Sequence, residues 1–169
     1  MMVDLATCLE HFHRLAFRLE TLPAYSIPQE AGLFAAFRRG EHVTVPDDHP
    51  WPHRVSSATR AGKTMQRVRV ISHPLSDYLR FELSLYPTSV EAGEDIRVAS
   101  LDDHPELVAC QQDFWLFDDE VVVVLDYDDH GGFLGSRAEH DLDHYRKLRE
   151  LALACSMELS AYTTRTARR

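Results

Sequence analysis

Leu5, Cys8, Phe12, Leu15 and Leu19 recur at helical spacing, which predicts one amphipathic helix over residues 5–20, ended by Pro23. Pro28 stands at a favourable first-turn position for a second helix through Phe34 and Phe37, closed by Gly40. Between Glu41 and Pro52 three prolines and two aspartates mark a loop, and a third helix is predicted over His53–Ala61, stopped by Gly62. The pattern then changes. Gln66 to Ile71 alternates with period two and is rich in β-branched residues, which predicts a strand. A helix follows over Ser76–Tyr86, then a turn at Ala92-Gly93 and a second alternating strand over Asp95–Ala99. Strand, helix, strand implies a right-handed crossover and a parallel pair.

Phe114–Phe117 and Val121–Tyr127 are predicted to be neighbouring strands joined through Asp118-Asp119. The run Val121–Leu125 is apolar without alternation, so this strand is expected to be covered on both faces. Gly131-Gly132 turns into a short strand over residues 133–137, and a last helix over 141–157 places Leu142, Tyr145, Leu148, Ala152 and Cys155 on one side. The expected fold is α/β (α+β) in a single domain over residues 1–159. A helical N-terminal part (1–62) precedes a mixed β-sheet with packed helices (63–159), and residues 160–169 form a basic tail. Asp-Asp-His occurs at 47–49, 102–104 and 128–130, each time in a predicted loop, and reads as turn composition.

One charge breaks the pattern. On the helix from Ser76, the residues Tyr78, Leu79, Phe81, Leu83, Leu85 and Tyr86 fill an arc of roughly 200°. Glu82 falls in the middle of that arc, aimed at the interior. A lone buried carboxylate costs several kcal/mol or neutralises, so a partner is the cheaper answer. Alternation sends Arg67 and Arg69 to one face of their strand, and the guanidinium fork suits a carboxylate. The expectation is an internal network of Glu82 with Arg67 or Arg69, extended by Asp95, Arg97 and Asp118. Two roles fit it: framework, or a pocket in which spare arginines hold a phosphate or carboxylate ligand.

The chain has 169 residues and a net charge of −9 with neutral histidines, which opposes direct nucleic-acid binding. Its basic exception is the C-terminal run with Arg165, Arg168 and Arg169. No apolar run reaches the roughly 20 residues of a membrane span, and the first residues lack a basic-then-apolar leader, so a cytoplasmic location without membrane contact is expected. Cys8, Cys110 and Cys155 are far apart, without a CxxC, and read as reduced thiols with no catalytic neighbourhood. His140 and His144 share a helix face but lack a third ligand, so no metal and no cofactor is expected. There is no GxSxG and no phosphate-binding loop, and no catalytic residue is assigned.

Arg67-Val68-Arg69-Val70, Asp77-Tyr78-Leu79-Arg80-Phe81-Glu82, Ala92-Gly93-Glu94-Asp95-Ile96-Arg97 and Asp113-Phe114-Trp115-Leu116-Phe117-Asp118 together resemble an actinobacterial family. That family is a domain of unknown function, often encoded beside helix-turn-helix regulators of the Xre type, and the resemblance extends to Arg18-Leu19-Glu20 and the last helix. Together with the acidic surface, that setting leads to the expectation of a non-catalytic regulatory or protein-interaction role with a DNA-binding helix-turn-helix partner. The alternative is a sensor or enzyme holding an anionic ligand in the arginine-rich pocket. The element order is also similar to half of a phospholipase D-like domain. Enzymes of that class need a His-x-Lys motif, and no histidine here is followed two residues later by lysine.

Overall fold

Asp4 caps the first helix, α1 (Leu5–His11), by accepting from the backbone N–H groups of Ala6 and Thr7. The helix stops there. Phe12 is extended, and the chain enters a strand, β1 (Leu15–Glu20), that is buried along nearly all its length. The helix expected over residues 5–20 is therefore a helix followed by a strand. Over so few residues, apolar positions four apart satisfy both periods, and two of the three even-numbered positions of β1, Arg18 and Glu20, carry charge although they face inward. This computed structural model describes residues 4–168.

After a short 3-10 turn, α2 (Ala31–Arg38) and α3 (Pro50–Arg60) follow, the latter with Pro50 in its first turn and His49 as its cap. Next come β2 (Thr64–Ile71), α4 (Asp77–Ala92) and β3 (Asp95–Ser100). The Ser76 side chain caps α4 at Leu79 N, and Gly93, at φ +115°, ends it. A 3-10 helix (Pro105–Ala109) leads to β4 (Phe114–Phe117), β5 (Val121–Tyr127) and β6 (Phe133–Glu139). The chain closes with α5 (Leu142–Ala154), β7 (Ser156–Glu158) and α6 (Leu159–Ala167).

All seven strands join one sheet in the order β6-β5-β4-β1-β2-β3-β7. The three strands β1, β2 and β3 are mutually parallel, as expected for β2–α4–β3, and the others pair antiparallel. The fold is thus mixed α/β. It differs from expectation at the C-terminus, where the predicted last helix breaks at Cys155 and β7 pairs with β3. Residues 160–167, read as tail, belong to α6, which buries Leu159 and Tyr162 and pairs Arg165 with Asp103 at 2.8 Å. Arg169 lies outside the described residues. No helix among them is long and apolar enough to cross a membrane.

Alternation divides the core. Phe17, Leu19, Val68, Val70, Phe114, Leu116, Val122 and Val124 pack on one face against Tyr145, Leu148 and Ala152 of α5. The other face has an apolar cluster at each end. Ala16, Met65, Trp115 and Phe117 meet Phe12 and Val55, whereas Ile71, Ile96 and Val98 meet Leu79, Tyr86, Leu159 and Tyr162. Between these clusters, on β1 and β2, stand Arg18, Glu20, Arg67 and Arg69.

Candidate functional site

Glu20, at the end of β1, faces all three arginines of the central strands. Its Oε1 lies 3.0 Å from Arg67 Nη1 and 3.5 Å from Arg18 Nε, and its Oε2 lies 3.8 Å from Arg69 Nε and accepts from Tyr86 Oη at 3.0 Å. Each arginine then finds a second acid from a different element. Arg18 Nη2 donates to Asp113 Oδ2 (3.0 Å), Arg67 Nε to Glu94 Oε1 (2.8 Å) and Arg69 Nε to Glu82 Oε2 (2.9 Å). Asp113 is closed off further by Tyr25 Oη at 2.6 Å and by Thr21, while Glu94 Oε2 accepts from Trp51 Nε1 at 2.9 Å. Aromatic rings line the guanidinium planes: Arg67 lies over Trp51 and Tyr86, and Arg69 over Tyr25. Arg69 has no exposed surface at all.

Four carboxylates thus meet three guanidinium groups. Burial alone would raise the Glu20 carboxyl, but Arg67, Arg18 and Arg69 outweigh it and hold the group down at about 2. Glu82 is the odd acid. Burial pushes it up, Arg69 offsets only part, and the nearby Glu20 charge adds to the rise, to about 7. Desolvation opposes the charge on all three arginines, yet their acids drive each one further above its usual range.

One side of this belt opens on a cavity of about 460 Å³ between α4, the segment before α2 and the loop leading into α3. Trp51, Phe81 and Tyr86 supply its apolar wall, and Arg67, Glu82, Glu30 and His49 its polar groups. Glu82 bonds through Oε2 only, and Glu30 through Oε2 only, to Tyr78 Oη at 2.8 Å. Arg67 uses Nε and Nη1. Among the described residues, Glu82 Oε1, Glu30 Oε1 and Arg67 Nη2 therefore make no hydrogen bond, and none of the three is sealed from solvent. Burial also raises the Glu30 carboxyl, with the Tyr78 bond opposing. His49 accepts at Nδ1 from Trp51 N, which leaves the neutral ring's proton on Nε2.

Of the residues expected in the network, Arg67, Arg69 and Glu82 come together and Asp95, Arg97 and Asp118 do not. Register is the reason on β3: Arg67 pairs with Ile96, so Ile96 and Val98 share the arginine face while Asp95 and Arg97 point to the other. There Asp95 takes Gln66 Nε2 at 2.7 Å and Arg97 donates to Ser156 Oγ at 2.8 Å. Asp118 sits in the β4–β5 turn at φ +54° and accepts from the N–H groups of His13, Arg14 and Leu15 at 2.7, 2.7 and 2.8 Å. Partial burial works against its charge, but those three donors hold the carboxyl below its usual range. Asp118→Ala is expected to cost about 1–2 kcal/mol in urea unfolding, a figure kept low because the turn is wet. A cost near zero would mean that these bonds do not tie α1 to the sheet.

His140 and His144 meet no third metal-ligating group among the described residues. The expected network leaves out Arg18, Glu20, Glu94 and Asp113, which the structure adds. The first two fall in the stretch whose apolar spacing predicts a helix, and the other two stand just before strands, where acids look like turn formers. Residues 3–164 match the model of a family described as a domain of unknown function, DUF6879. No curated protein and no solved structure matches the chain.

Proposed function

The chain belongs to the DUF6879 family, and we propose that it is a non-catalytic regulatory module whose cavity senses a small ligand bearing a protonated amine. The observation that carries this reading is the set of unpaired atoms on the cavity wall: Glu82 Oε1, Glu30 Oε1 and Arg67 Nη2. With one more acid than arginine in the belt, Glu82 keeps its proton up to about 7, and a ligand ammonium that displaces that proton pairs with the carboxylate left on the wall. Trp51 and Tyr86, over which the Arg67 guanidinium lies, form the aromatic wall beside that site. Arg67 Nη2 takes an acceptor elsewhere on the ligand, the part an anion-holding pocket would play; its other nitrogens are occupied by Glu20 and Glu94.

The net charge of −9 suits a basic partner and discourages direct contact with DNA, which supports action through a helix-turn-helix regulator. The missing His-x-Lys motif favours binding over phosphodiester cleavage, whatever the likeness in shape to a phospholipase D-like half-domain. A thermal-shift screen separates the ligand classes. Amino acids and small amines form one arm, and nucleotides and phosphorylated metabolites the other. An amine at a hundred times its dissociation constant adds about 2.7 kcal/mol of stability. Glu82→Gln is expected to abolish that shift. A shift with phosphorylated compounds alone, or an amine shift that survives Glu82→Gln, contradicts the reading.

A further inference from the structure

Away from the cavity, three side chains of different chemistry converge. His104 precedes the 3-10 helix Pro105–Ala109, Glu106 lies in its first turn, and Cys155 caps the C-terminus of α5. Their ligand atoms all lie within 4.8 Å of one another, the one group of three such ligands found among the described residues. His104 Nδ1 stands 3.5 Å from Glu106 Oε1, and Cys155 Sγ also stands 3.5 Å from that oxygen. We propose that His104, Glu106 and Cys155 form a site for a thiophilic divalent cation of the zinc type, with the fourth position open to water.

Two of the three spacings support an ion between the groups, and the third, His104 to Cys155, lies within 4.8 Å and closes on binding. Zinc bonds of about 2.0–2.3 Å in tetrahedral geometry set neighbouring ligand atoms about 3.3–3.7 Å apart. The His104–Glu106 separation falls in that window and beyond the roughly 2.7–3.2 Å of an N–H···O hydrogen bond. The donor set selects the metal class: a thiolate and an imidazole suit zinc, whereas magnesium and calcium prefer oxygen alone. Access is asymmetric. Cys155 is buried, Glu106 is exposed and His104 half-exposed, so an ion enters from the solvent side and is held against the core. Bound there, it fastens the segment leading to Asp113 and β4 onto the α5–β7 junction. Nothing in this site depends on the cavity at Glu82, and each can fail alone.

Cobalt(II) is the probe, added to the reduced full chain. The expected result is sulfur-to-cobalt charge transfer in the near ultraviolet with the strong visible bands of a tetrahedral ion, saturating at a single equivalent and displaced by zinc. Cys155→Ser removes the charge-transfer band, with circular dichroism confirming the fold. His104→Ala and Glu106→Gln alter outward-facing side chains, and each is expected to weaken cobalt binding markedly. No band, or a band that survives Cys155→Ser, overturns the site. Should Cys155→Ser unfold, the two surface variants decide: cobalt affinity equal to that of the unaltered chain overturns it as well.

Discussion

Glu20→Gln is expected to destabilise the fold by about 3–5 kcal/mol at neutral pH, the loss typical of breaking a buried ion network on one side. The substitution keeps shape and one acceptor but removes the single negative charge that faces Arg18, Arg67 and Arg69 together. Arg18 is buried, Arg69 does not reach water at all, and Arg67 is open to solvent only at the cavity. Their remaining acids, Asp113, Glu94 and Glu82, then stand one to one against them. Glu82, relieved of its nearest like charge, ionises, which limits the loss to the lower part of that range. Urea unfolding measures it. A cost below about 1 kcal/mol would mean that Glu20 is well hydrated and the belt carries little of the fold.

Stability of the unaltered chain is expected to fall as pH rises from about 4.5 to about 7. The Glu82 carboxyl is raised in the fold from 4.5 to about 7, because burial and Glu20 outweigh Arg69. In that interval the unfolded chain has released the proton and the fold still binds it. The contribution is therefore complete below pH 4.5 and lost through about 7, a change of about 3 kcal/mol at one proton. Burial raises Glu30 too, which adds in the same direction. Glu20 works oppositely: held down at about 2, it contributes above pH 4.5 and is lost in acid. Stability should thus peak near pH 4.5–5. Glu82→Gln keeps an acceptor for Arg69, flattens the curve between pH 5 and 8 and leaves the variant more stable than the parent at pH 8. An unchanged slope in the variant would assign the pH dependence elsewhere.

Glu82 was legible in the sequence because a charge amid an apolar helical arc violates the pattern, and the alternation of β2 named Arg67 and Arg69 as its partners. The same logic failed on β1. Arg18 and Glu20 alternate with Phe17 and Leu19, and charge at every second position looks like a solvent face, whereas here both faces are covered. The signal was an acid and an arginine two apart inside a short run that Pro23 cuts off, but a single strand of this kind reads as a helix turn unless its partner is known. Asp95 and Arg97 were misplaced for a related reason. Parallel pairing fixes direction but not register, and a shift by one residue exchanges the faces. Glu94 and Asp113 belong to the belt only through the close of α4 and the approach to β4, which composition does not reveal. The break at Cys155 was hidden because Leu159 and Tyr162 of α6 continue the three-and-four spacing of the α5 stripe past β7.

Proton occupancy at single glutamates tests the mismatch between acids and arginines most directly. Carboxyl-carbon chemical shifts followed by NMR from acid to pH 9 should show Glu82 titrating near 7, Glu20 silent down to the acid limit of the fold, and Glu82 moving down in Glu20→Gln. Should Glu82 instead lose its proton near 4.5, as a glutamate in water does, no unmatched acid stands beside the cavity, and the case for an amine ligand goes with it.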